Sequence, residues 1–271
     1  MRLEFGSKVQ VMGILNVTPD SFSDGGQFFD SENIAAQIDT MVEAGADIID
    51  VGGESTRPFA DPVSIDDELA RVIPAISRIR QHYSIPISID TTKAEVARRA
   101  LDEGADIIND VSALRFDTNM IRLAGERRVP VIIMHMQGTP SDMQVDPHYD
   151  DVVAEIKDFF RERLAWAAAN GVGAKQFVID PGIGFGKTGA HNLTVLKRLE
   201  EFAELGCPVL IGHSRKSFIG KILGTEVDRR DVATAAVSAV CAMKGVSILR
   251  VHDVAKTVEA VRLAEAIKNA D

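Results

Sequence analysis

The chain has 271 residues, of which 45% are hydrophobic and 26% charged; roughly 250 residues is a typical length for one α/β barrel domain. The formal net charge of −10 argues against a nucleic-acid binder, which needs a basic surface. The two cysteines, Cys207 and Cys241, form no CxxC pair, which is typical of a reducing cytosol and argues against a thiolate zinc site. Neither a signal peptide nor an apolar run of roughly 18 residues is recognisable. We therefore expect a cytoplasmic protein without membrane contact.

Short apolar, β-branched segments alternate with longer amphipathic ones along the whole chain. The predicted strands cover residues 10–15, 47–51, 86–90, 106–109, 130–134, 177–180, 208–212 and 246–251. The predicted helices cover residues 33–44, 65–82, 94–103, 119–127, 150–170, 192–205, 231–244 and 253–270. The strands are apolar nearly throughout, as parallel strands covered on both faces are. Eight such units favour an α/β fold, a (β/α)8 TIM barrel in a single domain (residues 1–271), over a doubly wound open sheet.

Polar side chains follow almost every predicted strand. They are Asn16, Asp50 with Glu54, Asp90, Asn109, His135, Asp180, residues 214–216, and Arg250 with His252. Because the carboxyl ends of barrel strands open at one face, where barrel active sites lie, we expect these side chains to meet there. Any one Asp or Asn is equally well explained as a cap or strand stop, but eight together are not. The mixture of carboxylates, amides, cations and imidazoles suits a polar heterocycle together with an anion.

Two motifs come close to well-known signatures and miss them. Residues 180–188 resemble a P-loop, but Pro181 occupies the position of its first glycine, and the spacing also misses GxGxxG. Residues 212–216 begin like a nucleophile elbow, but Lys216 replaces the final glycine. Ser214, Lys216 and Ser217 instead lie at a predicted helix start, which favours an anion. Without HExxH or a Cys/His cluster, a bound metal would be Mg²⁺, held by few protein oxygens and by substrate phosphate.

Eight segments, one near each strand end, carry a family resemblance. They read MGILNVTPDSFSD (12–24), DVGGESTRP (50–58), ISIDTTK (87–93), IINDV (107–111), MHMQGTP (134–140), DPGIGFGK (180–187), SRKSFIG (214–220) and RVHD (250–253). In this order they resemble the dihydropteroate synthase family of pterin-binding TIM barrels. The chain departs from the family pattern at Phe59, where the family usually has Gly. The departure concerns the shape of that loop and not the chemistry.

The resemblance implies an enzyme, a transferase of folate biosynthesis. It would condense 6-hydroxymethyl-7,8-dihydropterin diphosphate with 4-aminobenzoate to give 7,8-dihydropteroate, by dissociative displacement of diphosphate. The implied pterin-binding residues are Asp90, Asn109, Asp180 and Lys216. Diphosphate would be bound by Asn16, Arg57, Arg250 and His252, with Mg²⁺ on Asn16. Aminobenzoate would be bound by Phe22, Thr56, Pro58, Phe185, Lys216 and Ser217. The catalytic set would be Asp90, Lys216, Arg250 and His252.

The resemblance also implies a homodimer that is inhibited by sulfonamides and binds neither nucleic acid nor membrane. His135 stays outside the catalytic set, because Met-His-Met is also explained by packing against the pterin, and a plain core role is the alternative for Phe185. Two other functions stay open. A corrinoid-linked methyltetrahydrofolate methyltransferase would explain Asp90, Asn109 and Asp180, but not the segments 16–24 and 214–218. A non-catalytic pterin-binding protein would not need the groups implied for phosphate and metal.

Overall fold

A computed structural model describes Phe5 and residues 8–17, 27–55, 62–139 and 143–270, with side chains in the first helix described from residue 32. Its eight strands are β1 (Gln10–Asn16), β2 (Ile48–Gly52), β3 (Ile87–Asp90), β4 (Ile107–Asp110), β5 (Val131–Met134), β6 (Phe177–Asp180), β7 (Leu210–Ile211) and β8 (Ile248–Val251). Its helices are α1 (Gln27–Glu43), α2 (Ile65–His82), α3 (Ala94–Asp102), α4 (Met120–Arg127), α5 (Val152–Ala169), α6 (Gly189–Lys197), α7 (Ser217–Leu223), α8 (Asp231–Met243) and α9 (Val254–Lys268).

The strands form one parallel sheet in the order β6-β5-β4-β3-β2-β1-β8-β7. A parallel bridge between Ile179 and Val209 links β6 to the chain entering β7. This bridge joins the two ends of the sheet, so the strands close into a barrel with the helices outside. The predicted (β/α)8 barrel is therefore confirmed, and the open sheet is not the fold. No helix in the described segments is both long and apolar enough to cross a membrane.

The pleat of the strands explains why a polar site stands on an apolar core. Seven strands contribute one residue each to an apolar layer inside the barrel: Met12, Ile48, Ile107, Ile132, Val178, Leu210 and Ile248. Side chains two positions apart lie on the same face of a strand. Four of these residues are therefore followed on the same face by a polar one: Asp50 after Ile48, Asn109 after Ile107, Asp180 after Val178 and Arg250 after Ile248. The polar layer lies above the apolar layer, at the carboxyl ends of the strands.

Three helix predictions differ from the structure. Helix α7 was expected only as a helix start, because seven residues are too few to show a helical period. The predicted helix 192–205 is α6 followed by a 3-10 segment, Leu199–Leu205. Helix α6 begins before residue 192 because the Thr188 side chain caps the backbone N–H of His191. Helix α1 begins at Gln27, six residues before the start of the predicted helix 33–44.

Candidate active site

Arg250 lies at the centre of the polar layer. Its Nε donates to Asp50 Oδ2 at 2.6 Å, and its Nη2 donates to Asp90 Oδ2 at 2.7 Å. Asn109 Nδ2 also donates to Asp50 Oδ2, at 3.2 Å. A buried carboxylate needs such partners, and the Asp50 side chain is fully buried. Four strands, β8, β2, β3 and β4, are thereby joined in one hydrogen-bonded network.

Asp50 is a member of this network that the predicted site residues did not include. Its position at a strand end in the DVGGESTRP segment was the only signal in the sequence. Its role became visible only from the register, which pairs Asp50 with Ile14 on one side and Ser88 on the other. It is the inner partner of Arg250 and Asn109, and it fixes both side chains for the layer above.

Burial and the neighbouring charges shift the pKa values of both Asp90 and Arg250. Burial raises the pKa of Asp90 to about 7, with a smaller opposing effect from Arg250 and a further increase from Asp50. Burial lowers the pKa of Arg250, but Asp50 and Asp90 together outweigh it, so that the net shift is upward. Arg250 therefore stays a cation, while Asp90 is close to its pKa at neutral pH in the ligand-free protein.

Asp180, at the end of β6, is buried and oriented by its own loop. Its Oδ1 accepts a hydrogen bond from the backbone N–H of Gly182 at 2.7 Å. Its Oδ2 lies beside Gly212, where a side chain would start 3.6 Å away, so the absence of a side chain leaves room there. Burial raises the pKa of Asp180 to about 6, although the Gly182 N–H and Lys216 lower it. The carboxylate is thus fixed at Oδ1, while Oδ2 has space beside Gly212.

Lys216 lies opposite Asp180 and against an aromatic ring. Its Nζ is 4.0 Å from the centroid of the Phe185 ring, and a Cβ added at Gly184 would lie 2.9 Å from its Cδ. A cation over a ring face is attracted by the ring quadrupole. Ser217 is exposed at the start of α7. Lys216 and Phe185 therefore form one wall of the cleft, next to the carboxylate of Asp180.

His252, directly after β8, contacts Ser214 in the segment after β7. The Ser214 hydroxyl accepts from the His252 backbone N–H at 3.1 Å and lies 2.9 Å from His252 Nδ1. Burial lowers the pKa of His252 to about 4, with Arg215 and Arg250 adding to the effect. The ring is therefore neutral at pH 7. If the hydroxyl donates to Nδ1, the ring proton is on Nε2, which can then donate to an anion.

Asn16 is exposed at the end of β1 and is in register with Gly52. A Cβ at Gly52 would lie 3.5 Å from Asp90 Cβ and 3.9 Å from Asn16 Oδ1, so the two side chains approach each other over this glycine. Among the described residues no group of three or more His, Cys, Asp or Glu side chains could hold a metal. A single amide oxygen fits Mg²⁺, which keeps several waters and binds substrate phosphate.

The predicted site residues fall into two groups. The structure brings together at the carboxyl face Asn16, Asp90, Asn109, Asp180, Phe185, Lys216, Ser217, Arg250 and His252. The predicted residues Phe22, Thr56, Arg57 and Pro58 lie outside the described residues, as does Phe59. The first group alone supplies two carboxylates, two amides, two cations and an imidazole. Such a set can bind a flat heterocycle by its edge and an anion beside it.

Comparisons with known proteins assign this arrangement to a family. The family of pterin binding enzymes matches residues 12–252. A dihydropteroate synthase of Synechocystis sp. is 46% identical over 265 residues, which are 97% of this chain and 92% of that protein. The dihydropteroate synthase of Yersinia pestis, solved with a sulfonamide drug complex, has a TM-score of 0.93 and 41% identity over 100% of both chains. That of Xanthomonas albilineans, solved with 4-aminobenzoic acid, has a TM-score of 0.92 and 45% identity, covering 98% of this chain and 95% of the other. The chain belongs to the pterin binding enzymes and, among them, to the dihydropteroate synthases.

Proposed function

We propose that the polar layer binds 6-hydroxymethyl-7,8-dihydropterin diphosphate and that the wall beside it binds 4-aminobenzoate. The observation that carries the proposal is Asp180, a buried carboxylate with one oxygen fixed by Gly182 N–H and the other beside Gly212, which has no side chain. A pterin presents its 2-amino group and a ring N–H side by side, and a carboxylate accepts such a pair of donors. The neighbouring amide of Asn109 and the ammonium of Lys216 extend the recognition to the rest of the pterin edge.

Displacement of diphosphate creates positive charge on the pterin. In the proposed reaction the C–O bond to diphosphate breaks, the aminobenzoate nitrogen forms a bond to the same carbon, and that nitrogen loses one proton. Asp90, held by Arg250 at 2.7 Å, places a negative charge next to the developing cation when it is ionised, which its pKa of about 7 favours above neutral pH. Preorganised charge aimed at developing charge is often the largest catalytic effect. An aniline nitrogen is already neutral at pH 7, so the attack needs no strong general base.

The departing diphosphate would be received by Arg250 and His252. The guanidinium keeps donors beyond those used for Asp50 and Asp90, and its fork suits phosphate oxygens. The neutral His252 ring would donate from Nε2, and Arg57 would add a cation. Mg²⁺ would be held by the Asn16 side-chain oxygen, and when bound it offsets the charge of the leaving group.

Replacement of Asn16 by Ala is expected to raise the Mg²⁺ concentration needed for half-maximal rate about tenfold or more, as a Mg²⁺ titration would measure.

The aminobenzoate ring would lie against Phe185, with its carboxylate near Lys216 and Ser217. The predicted residues Phe22, Thr56 and Pro58 would complete this pocket.

Sulfonamides carry a sulfonyl group where the substrate has its carboxylate, and they should occupy the same place. We expect inhibition that is competitive with aminobenzoate in initial-rate kinetics. A non-competitive pattern would contradict the shared pocket.

We also propose that the enzyme works in the cytoplasm as a homodimer. Helices α8 and α9 pack on each other and expose apolar side chains, namely Val232, Val240, Met243, Leu263 and Ile267. Exposed apolar patches of this kind favour association. Sedimentation at micromolar concentration should give twice the mass of one chain, 29.4 kDa, and a monomer would refute the proposal.

One assay tests the proposed reaction against its alternatives. The purified protein is given dihydropterin diphosphate, Mg²⁺ and aminobenzoate, and dihydropteroate and diphosphate are measured. Equal amounts of both products support the synthase. Binding of the pterin without product supports a non-catalytic protein, and binding of a corrinoid supports the methyltransferase.

Pterin affinity should depend on pH through Asp180. The carboxylate must be ionised to accept two donors, and its pKa is about 6 in the ligand-free protein. The pterin Kd should be constant well above this pH and should rise about tenfold per unit below it, because protonation then competes with binding. Calorimetry with a product-like pterin that lacks the diphosphate avoids titration of phosphate. A Kd that stays constant between pH 4.5 and 8 would refute this role.

A further inference from the structure

The loop between β6 and α6, residues 181–188, carries the Phe185 wall of the cleft and is held in an unusual way. Three consecutive carbonyl oxygens of this loop each accept a hydrogen bond from a side chain. Gln144 Nε2 donates to Gly184 O at 2.7 Å, Lys187 Nζ to Phe185 O at 3.0 Å, and Tyr149 Oη to Gly186 O at 2.7 Å. Side chains from three positions, Gln144, Tyr149 and Lys187, thus hold the backbone around Phe185.

Lys187 is the most deeply buried member of this set, and the proposed reaction gives it no role. Only 4% of the residue is exposed. Its Nζ lies 3.0 Å from His135 Nδ1 and 3.5 Å from His135 O, in addition to Phe185 O. Burial lowers the pKa of Lys187 to about 7, so near neutral pH the group is an ammonium with three donors or an amine with two, and both forms find acceptors here. Burial lowers the pKa of His135 well below its usual value, with Lys187 adding to the effect, so the imidazole is neutral and can accept at Nδ1.

These contacts tie the loop to the end of β5. His135 follows β5 directly, and its ring packs edge-on against Phe159, with the centroids 5.0 Å apart. The loop has no room to move closer to β5, because the backbone at Gly182 already lies so near the His135 carbonyl that an added Cβ would overlap it. The loop also resists moving away, because Lys187 Nζ bonds both His135 and the carbonyl of Phe185. Burying an amino group without acceptors is costly, and any shift of Phe185 O leaves the Lys187 amino group with one acceptor fewer.

We infer that Lys187 is a positioning residue for aminobenzoate, acting through His135 and the carbonyl of Phe185. Lys187 fixes the position of the Phe185 backbone, and thereby of the Phe185 ring against which the Lys216 ammonium lies. The inference rests on the proposed placement of aminobenzoate against Phe185. It assigns a function to the GFGK lysine and to the histidine of Met-His-Met, which here is more than packing. Asn109 is held by Asp50, and Asp180 is held by Gly182 at the start of the loop, which packs on the His135 carbonyl. Lys187 also lowers the pKa of Asp180, whose value of about 6 lies well below pH 8. Pterin binding at pH 8 should therefore change little when Lys187 is replaced.

The test compares Lys187→Met with Lys197→Met, the same change at an exposed lysine of α6. At pH 8, where Asp180 is ionised, Lys187→Met should raise the aminobenzoate KM about tenfold or more and change the pterin Kd by less than about twofold. Lys197→Met should change neither. Tyr149→Phe, which removes only the hydroxyl that donates to Gly186 O, should raise the same KM about threefold. This variant carries the test if Lys187→Met does not fold.

Two outcomes would overturn the inference. One is an aminobenzoate KM that stays within twofold of the control value in the variant that folds. The other is an equal rise of the pterin Kd and the aminobenzoate KM, which would indicate general loosening of the site. Failure of the proposed reaction is recognised separately, because the unmodified enzyme would then form no dihydropteroate.

Discussion

Replacing Asp180 by Asn is expected to weaken pterin binding about 100-fold or more without unfolding the protein. A hydrogen bond to a charged group contributes about 1.5–3 kcal/mol, and 1.4 kcal/mol is a factor of ten in affinity. The amide keeps an oxygen for Gly182 N–H, which Asp180 Oδ1 now accepts at 2.7 Å. Its NH2 group, however, would face the donors of the pterin. The variant therefore removes recognition and keeps the loop.

Calorimetry and thermal melting separate these two effects. Asp180→Asn should melt at or above the temperature of the unmodified protein near pH 8, because a buried ionised carboxylate is removed. Its pterin affinity should lose the part of the pH dependence that arises from titration of Asp180 at about pH 6. Asp180→Ala should also lose the pterin, but it leaves Gly182 N–H without its acceptor and should melt lower than Asp180→Asn. An unchanged pterin Kd in Asp180→Asn would refute the assignment of the pterin edge.

The barrel and most of the polar layer could be predicted because their signals are local. Most strands are short apolar runs with a polar residue at or just after their end, as Ile107 and Ile108 precede Asn109. In a parallel barrel all such ends meet at one face. The family motifs then supplied roles for residues such as Asp180 and Lys216. Both kinds of signal can be recognised in the residue sequence without knowledge of tertiary contacts.

Partners across strands could not be predicted in the same way. Asp50 and Arg250 are 200 positions apart, and only the register and the closed sheet bring them together. The role of Lys187 depends on whether its side chain turns inward to His135, which the GFGK spacing does not show. The short helix α7 is also below the length at which a period can be recognised. These features depend on tertiary packing rather than on local propensity.

Replacing Arg250 by Met is expected to have the largest combined effect on stability and activity. The change leaves the carboxylates of Asp50 and Asp90 without their cation, and breaking a buried ion pair from one side costs about 3–5 kcal/mol. Asp90 shows the sign of the pH dependence. Its pKa is raised by burial to about 7 from a usual value near 3.8, so the folded state binds its proton more tightly than the unfolded chain does. The contribution of Asp90 to stability therefore falls as pH rises from about 4 to about 7, and without Arg250, which lowers this pKa, the fall should continue to higher pH.

The double variant Asp50→Asn, Arg250→Met separates stability from chemistry. Removing the Asp50 charge, which is fully buried, relieves the unpaired carboxylate while Asn109 keeps an oxygen to donate to. Urea unfolding at pH 8 should therefore show a higher free energy of unfolding for the double variant than for Arg250→Met alone. Its turnover should stay reduced about 1000-fold or more, since the cation that receives diphosphate and orients Asp90 is still missing. If turnover recovers together with stability, Arg250 is only a structural partner of the two aspartates, and the proposed diphosphate site is wrong. If neither recovers, the cost of Arg250→Met does not arise from the carboxylate of Asp50.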